Sequence, residues 1–165
     1  MQRLRHISPL GSTEHAFPSA TQHRFSHSLG THHRANVALG HLLDQHPDKV
    51  NPGDAHLVSI AALVHDIGHP PMSHMMESPT IYATHRDHEV WGRMILCDPS
   101  TEIHKVLVDG IGEDGLERLL SILDGPVDQP WMAEVVSSQM DVDTVSYTNQ
   151  TMQKTHYLWH ARAAD

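Results

Sequence analysis

The segment AHLVSIAALVHDI at residues 55–67 constrains the fold of this chain more than any other stretch. Its residues are apolar nearly all the way round, and a helix of that kind is normally buried at the centre of a fold. Gly68 follows it, and Pro70 and Pro71 prevent the helix from continuing. We therefore expect a central buried helix that ends at a sharp break, with Asp54 as its N-cap.

Helical periodicity is typical of most of the remaining chain as well. Residues 1–22 predict a short opening helix followed by a loop, and residues 46–54 form a polar linker. No segment alternates between apolar and polar residues with a period of two, which half-buried strands would require. The sequence therefore predicts an all-α fold, with further helices at about 24–45, 73–77, 88–97, 101–109 and 113–123 and a last one that begins near Trp131.

Composition excludes several classes of protein. At 165 residues the chain is long enough for one domain with a hydrophobic core, and its net charge of −9 argues against a broad basic surface for nucleic acid. Its single cysteine, Cys97, excludes an intramolecular disulfide and a cysteine-rich zinc module. No apolar run approaches the roughly 18 residues that span a bilayer, and the N-terminus has no apolar signal segment. We therefore expect a cytoplasmic protein with no membrane partner.

The pair His65-Asp66 at the end of the apolar helix points to chemistry. An arbitrary His-Asp pair is most often a helix cap or a surface ion pair, but burying both groups at the end of an apolar helix is costly unless something compensates their polarity. A divalent cation does so, and imidazole and carboxylate ligands suit Mn, Fe, Zn or Co. Two ligands do not hold such an ion, so other residues of the chain must contribute.

Five ordered motifs carry a family resemblance: QRLRHISPLG, FPSATQHRFSHSLGTHH, AALVHDIGHPPMSH, HEVWG and VVSSQMDVD. Together they resemble the HD-domain phosphohydrolases, and within them the deoxynucleoside-triphosphate triphosphohydrolases, which include bacterial dGTPases and the mammalian sterile-alpha-motif HD enzyme. The resemblance implies an HD-domain helical bundle around a single metal site. It extends to about Tyr147, so we expect an HD phosphohydrolase domain at 1–147 and a tail of uncertain structure at 148–165.

By this resemblance the metal ligands are His27, His65, Asp66 and Asp143. The ion would be divalent (Mn, Fe, Zn, Co, Ni or Mg), and it would lower the pKa of a bound water and polarise a phosphate. Asp141 competes with Asp143, but residues two apart on a helix lie about 200° apart, so only one of them can face the metal. The family pattern favours Asp143.

The resemblance also implies the catalytic pair His74 and Glu77. Their i, i+3 spacing puts them on one helical face, where a carboxylate orients an imidazole and raises its pKa, as a general acid or base requires. Without the resemblance, a surface pair would be the simpler interpretation.

Further residues match positions of the family that contact substrate. His69 and His88 resemble its phosphate-contacting histidines and are also candidates for catalysis. Arg24 precedes His27 by three residues, so it can clamp a phosphate next to the metal. Leu10 and Tyr147 complete the candidate substrate site.

The chain departs from the family pattern at two places. Pro9 stands where the triphosphohydrolases usually have a Gln that reads the sugar. After the last metal Asp, the family usually has a phosphate-binding cation and acidic residues that fix the sugar, whereas this chain has Thr144, Ser146 and Thr151. These departures predict weak activity with poor selectivity for deoxyribose.

Two classes of function follow. The first is a metal-dependent phosphohydrolase acting on nucleotides, with conversion of a dNTP to deoxynucleoside and tripolyphosphate as the specific reaction. A variant of this class is an HD phosphatase with another phosphate-ester substrate. The second is a non-catalytic or truncated HD domain that binds metal without turnover. Besides the substrate, a second copy of the chain is a candidate partner.

Overall fold

The computed structural model describes residues 1–9, 22–73, 76, 87–125, 127–137 and 143. Within these ranges the chain is helical and contains no strand, so the predicted all-α fold is confirmed. A 3-10 helix, Gln2–His6, precedes five α-helices: α1 (Arg24–Gln45), α2 (Pro52–Val64), α3 (His88–Cys97), α4 (Glu102–Asp124) and α5 (Pro130–Val136). The predicted tail 148–165 and most of the predicted helix 73–77 lie outside the described residues.

Helix α2 is the central apolar helix, but it begins and ends three residues earlier than predicted. Its N-cap is Asn51, whose side chain accepts a hydrogen bond from the Asp54 amide, and Pro52 is its first residue. The prediction of Asp54 as N-cap is therefore wrong, because a proline at the first helical position sets the start one turn earlier. Asp54 is instead buried in the first turn and pairs with Arg118 of α4.

The hydrophobic core surrounds α2. Helix α1 packs along it, and α4 and α5 pack against its remaining sides. Val58, Ala61 and Ala62 of α2 have no exposed surface, and Leu119 of α4 and Leu4 of the 3-10 helix are equally buried. Because these side chains are apolar and α2 lies in the middle of them, the end of α2 is carried into the interior, where its polar residues must find partners.

A turn follows α2 and contacts the start of α3. Residues 65–68 form this turn, in which the Ile67 amide donates to the Val64 carbonyl at 2.9 Å. A Cβ at Gly68 would overlap the carbonyl oxygen of His88 and the amide nitrogen of Gly92, so only glycine allows the two backbones to approach this closely. The close approach brings His88, the first residue of α3, beside the turn.

The two predicted stretches 101–109 and 113–123 are joined in α4. Gly112 has a φ of 74° and a ψ of 171°, which interrupts the helix between them. Thr101 caps α4 by accepting from the His104 amide, and Gly125, with a φ of 94°, ends it. In the part of the chain that the structure describes, no helix combines the length and the apolar character needed to cross a bilayer.

Candidate metal and phosphate site

The four predicted metal ligands lie together at the end of α2. His27 comes from the first turns of α1, His65 and Asp66 from the turn that follows α2, and Asp143 from beyond α5. The Nε2 atom of His27 lies 2.6 Å from Asp143 Oδ1 and 3.7 Å from Asp66 Oδ2, and His65 Nε2 lies 3.5 Å from Asp66 Oδ1 and from Asp143 Oδ1. Donor atoms at these separations converge on one small volume, although the residues are up to 116 positions apart.

The tautomer of His65 supports a cation at this point. Its Nδ1 lies 2.9 Å from the Ala62 carbonyl, which can only accept, so Nδ1 carries the hydrogen of the neutral ring. The lone pair of this buried Nε2 then faces the carboxylates of Asp66 and Asp143, each with an oxygen 3.5 Å away. A metal-ligating histidine normally donates its other ring N–H to a carbonyl in this way. His27, His65 and Asp66 therefore fit a divalent ion, with Asp143 adjoining them.

The electrostatics of the cluster agree with this fit. Burial by itself would lower the pKa of His65, but the carboxylates of Asp66 and Asp143 raise it to about 9. Burial would likewise raise the pKa of Asp66, yet the charge of His65, a hydrogen bond from His69 and the Arg24 guanidinium hold it well below its ordinary value. Two ionised carboxylates thus require a positive charge between them, which is supplied by a proton when no metal is bound.

Removing the metal should make the stability of the protein depend on pH between about 6.5 and 9. The pKa of His65 rises from 6.5 to about 9 on folding, so its protonation stabilises the metal-free protein fully below pH 6.5 and loses this effect as the pH rises through 9. We expect the melting temperature of chelator-treated protein to fall across this window. The metal-loaded protein and the variant His65→Gln should show no such step, and a step of the same size in all three would contradict the assignment.

Arg24 and His69 also contact the carboxylate of Asp66. The Arg24 guanidinium is buried, with Nη1 at 2.6 Å from Asp66 Oδ2 and Nε donating to the Ser73 hydroxyl at 2.9 Å. His69 Nε2 lies 3.2 Å from Asp66 Oδ1, and its ring stacks on that of His88 with centroids 3.8 Å apart. Burial lowers the pKa of His69 to about 4 against the opposing effect of Asp66, so the ring is neutral at neutral pH.

A cavity of about 260 Å³ joins these groups. Asp66 lines this cavity together with Arg24, His65, His69, His88 and Asp143, and each of its two oxygens adjoins one predicted metal ligand and one of the side chains Arg24 and His69. An anion bound in this cavity would meet the Arg24 guanidinium and the His69 and His88 rings within reach of the predicted metal ligands. The arrangement therefore suits a phosphate group better than an apolar ligand.

Other predicted site residues fall outside the described part of the chain. These are Leu10, His74, Glu77 and Tyr147, whose assigned roles remain predictions. Conversely, the structure adds two residues that sequence reasoning did not assign to the site. Ser73 holds the Arg24 guanidinium, and Arg3 donates to backbone carbonyls of the turn after α2. No periodicity or spacing relates these pairs, which are 49 or more residues apart.

The described residues thus form a helical fold in which a cluster of His and Asp side chains, at the end of the central helix, could hold a metal ion. The sequence matches the HD domain family over residues 24–113, which is more than half of the chain. The chain therefore belongs to the HD domain family, and the resemblance to HD-domain phosphohydrolases drawn from its motifs is confirmed.

Several known proteins are similar to this chain. Deoxynucleoside triphosphate triphosphohydrolase SAMHD1 of Gallus gallus is 43% identical over 77 residues, which cover 46% of this chain and 12% of that protein. The uncharacterized protein YwfO of Bacillus subtilis is 32% identical over 149 residues, or 88% of this chain and 32% of YwfO. The crystal structure of a phosphohydrolase from Bacteroides thetaiotaomicron superposes with a TM-score of 0.77 at 26% identity, covering 95% of this chain and 36% of that one. The chain thus spans about a third or less of the length of these relatives.

Proposed function

We propose that this chain is a metal-dependent phosphohydrolase that acts on nucleotides, and that its specific reaction converts a dNTP to deoxynucleoside and tripolyphosphate. The observation that carries the proposal is the double use of Asp66, whose oxygens adjoin the His27 and His65 imidazoles as well as the Arg24 and His69 side chains, at a cavity lined by Arg24, His65, Asp66 and His69. A metal site next to a phosphate-binding group is what phosphate-ester hydrolysis requires. The similarity to proteins named deoxynucleoside triphosphate triphosphohydrolase supports the choice of substrate.

In this proposal His27, His65, Asp66 and Asp143 hold the divalent ion, which supplies Lewis-acid polarisation of a phosphate oxygen when bound. Arg24 places a positive charge beside Asp66, where it can donate to phosphate oxygens.

The rings of His69 and His88, which stack on each other and line the same cavity, would contact the phosphates beside Arg24. Water attacks the α-phosphorus, the bond from phosphorus to the sugar 5′-oxygen breaks, and His74, oriented by Glu77, provides the proton that the departing 5′-oxygen takes up. Leu10 and Tyr147 would complete the pocket around the nucleoside.

The decisive experiment compares dGTP with GTP under saturating Mn²⁺, with the released phosphate species identified by phosphorus NMR. We expect tripolyphosphate as the product, slow turnover and little preference for dGTP. The reason is that Pro9 lacks the side-chain amide that reads the sugar in the family, and Thr144 lacks the positive charge that binds phosphate there. A site that hydrogen-bonds a sugar hydroxyl can discriminate by about 10⁴ or more, whereas one without those partners cannot.

Other outcomes of this experiment would favour the alternatives. Orthophosphate release from a generic phosphate ester, with no tripolyphosphate from either nucleotide, would indicate an HD phosphatase with another substrate. Stoichiometric metal without turnover of any phosphate ester would indicate a non-catalytic HD domain. Fast and strongly deoxy-selective hydrolysis would show that other residues replace the contacts that Pro9 and Thr144 cannot make.

A further inference from the structure

Arg3 binds the backbone of the turn that carries the site. It lies in the 3-10 helix Gln2–His6 and donates from Nη1 to the Ile67 carbonyl and from Nη2 to the His69 carbonyl, the latter at 2.9 Å. These two carbonyls flank Gly68, the last residue of the turn that follows α2. A forked guanidinium that binds the carbonyls on both sides of Gly68 holds the chain in one direction as it leaves the turn.

That direction determines where the His69 ring lies. The ring is almost completely buried, stacks on His88 and lies 3.2 Å from Asp66 Oδ1, so its environment leaves little room for movement. Rotation of the backbone at Gly68 would carry the ring away from both neighbours. Arg3 thus acts on His69, which lines the cavity, although Arg3 is not itself one of the lining residues.

The same N-terminal segment also positions Arg24. The Ile7 carbonyl accepts from the Arg24 amide at 2.9 Å, and the Ser8 carbonyl accepts from the Ser73 hydroxyl at 2.8 Å. The Ser73 hydroxyl in turn accepts from Arg24 Nε. Leu4, which has no exposed surface, anchors the segment in the core. Residues 3–8 are therefore bonded to the chain on both sides of Gly68, to the Arg24 backbone, and to Ser73, whose hydroxyl accepts from the Arg24 guanidinium.

We infer that Arg3 is a positioning residue, which sets the separation of His69 from Asp66 and Arg24 and thereby the affinity of the cavity for phosphate groups. The role of these groups as phosphate ligands rests on the proposed function. The position of the His69 ring does not, and this difference allows the two to be tested separately.

The experiment compares Arg3→Met and Arg3→Lys with the matched control Arg5→Met. Arg5 belongs to the same 3-10 helix and is exposed like Arg3, but it hydrogen-bonds Gln2 and stacks on Phe25 instead of binding the turn. For each metal-loaded variant we would measure metal content, melting temperature, binding of inorganic tripolyphosphate by calorimetry, and the kcat and KM for the best nucleotide substrate.

We expect Arg3→Met to keep its metal but to bind tripolyphosphate at least about tenfold more weakly, with KM raised in parallel, because a small displacement of a binding group is enough for such a loss. Arg3→Lys should recover part of the affinity, since an ammonium can reach one carbonyl but does not have the fork that spans both. Arg5→Met should bind like the wild type. Unchanged affinity in a folded Arg3→Met, or an equal loss in Arg5→Met, would overturn the inference.

The His69 ring resonance, assigned by its loss in His69→Gln, gives a readout that needs no substrate. It should shift in the Arg3 variants and stay in place in Arg5→Met, while the resonance of His104, whose ring bonds the Leu96 carbonyl and not the turn, serves as internal reference. If Arg3→Met does not fold, Arg3→Lys decides the matter in the same way. An unmoved His69 resonance would overturn the positioning role even if the wild type hydrolyses nucleotides, and a shift would support it even if the wild type hydrolyses none.

Discussion

Replacing Asp66 with alanine is expected to abolish metal binding and all hydrolysis. Asp66 is 3% exposed, and its two oxygens adjoin His27 and Arg24 on one side and His65 and His69 on the other. Its loss removes a central ligand and leaves the buried Arg24 guanidinium without its carboxylate. Breaking a buried ion pair in this way typically costs about 3–5 kcal/mol of folding free energy. Elemental analysis of purified protein would measure the metal, and phosphate release would measure turnover.

Two other variants separate ligation from instability and from chemistry. Asp54 is an equally buried carboxylate at the opposite end of α2, paired with Arg118, so Asp54→Ala should lower stability but keep the metal in the folded protein. His74→Ala should also keep the metal while turnover falls by a factor on the order of 10²–10⁴, the usual contribution of a positioned acid or base. Full metal content in Asp66→Ala would show that Asp66 is not a ligand.

Replacing Gly68 with alanine should disrupt the contact between the turn after α2 and the start of α3. The added Cβ would overlap the His88 carbonyl and the Gly92 amide, both of which are backbone atoms that cannot swing aside. We expect a loss of about 4 kcal/mol or more, which belongs to the exceptional class of single-residue effects. Because a typical domain is stable by only about 5–15 kcal/mol, urea denaturation should show a midpoint far below that of the wild type.

Gly92→Ala is the matched control at the same contact. A Cβ at Gly92 would lie 3.6 Å from both the Gly68 amide nitrogen and Ile67 Cγ2, which is ordinary van der Waals contact. Alanine is also favoured over glycine within a helix by roughly 0.5–1 kcal/mol, so this variant should be as stable as the wild type or slightly more so. A wild-type midpoint for Gly68→Ala would mean that α3 does not pack on the turn in solution.

Local sequence signals were sufficient to predict most of the helices. The predicted helices at 24–45 and 88–97 have the observed bounds of α1 and α3, and the interruption between 109 and 113 appears at Gly112 of α4. Apolar periodicity, caps and glycines act over a few residues, so they can be recognised in a single sequence. The start of α2 was missed although its signal was present, since Asn51-Pro52 is a stronger start than Asp54.

Predicting the residues of the candidate site required more information than the periodicity of apolar residues. The costly burial of His65 and Asp66 predicted a cation and demanded further ligands, but it could not say which residues would supply them. Family resemblance named His27 and Asp143, and the structure brings both to within 3.7 Å of the His65-Asp66 pair. Their roles as ligands await measurement of the metal.

Only the tertiary structure decided how these groups are held. The hydrogen bond from Arg24 to Ser73 and those from Arg3 to the turn join residues that are 49 to 66 positions apart. The close approach of Gly68 to Gly92 joins the turn after α2 to helix α3. Such contacts depend on the packing of α1, α2 and α3 around a common core and on the rotamers that this packing permits. The sequence by itself determined which segments become helices and which residue types the site contains, because those properties are local; the partners of each polar side chain are set by distances that exist only after the helices have packed.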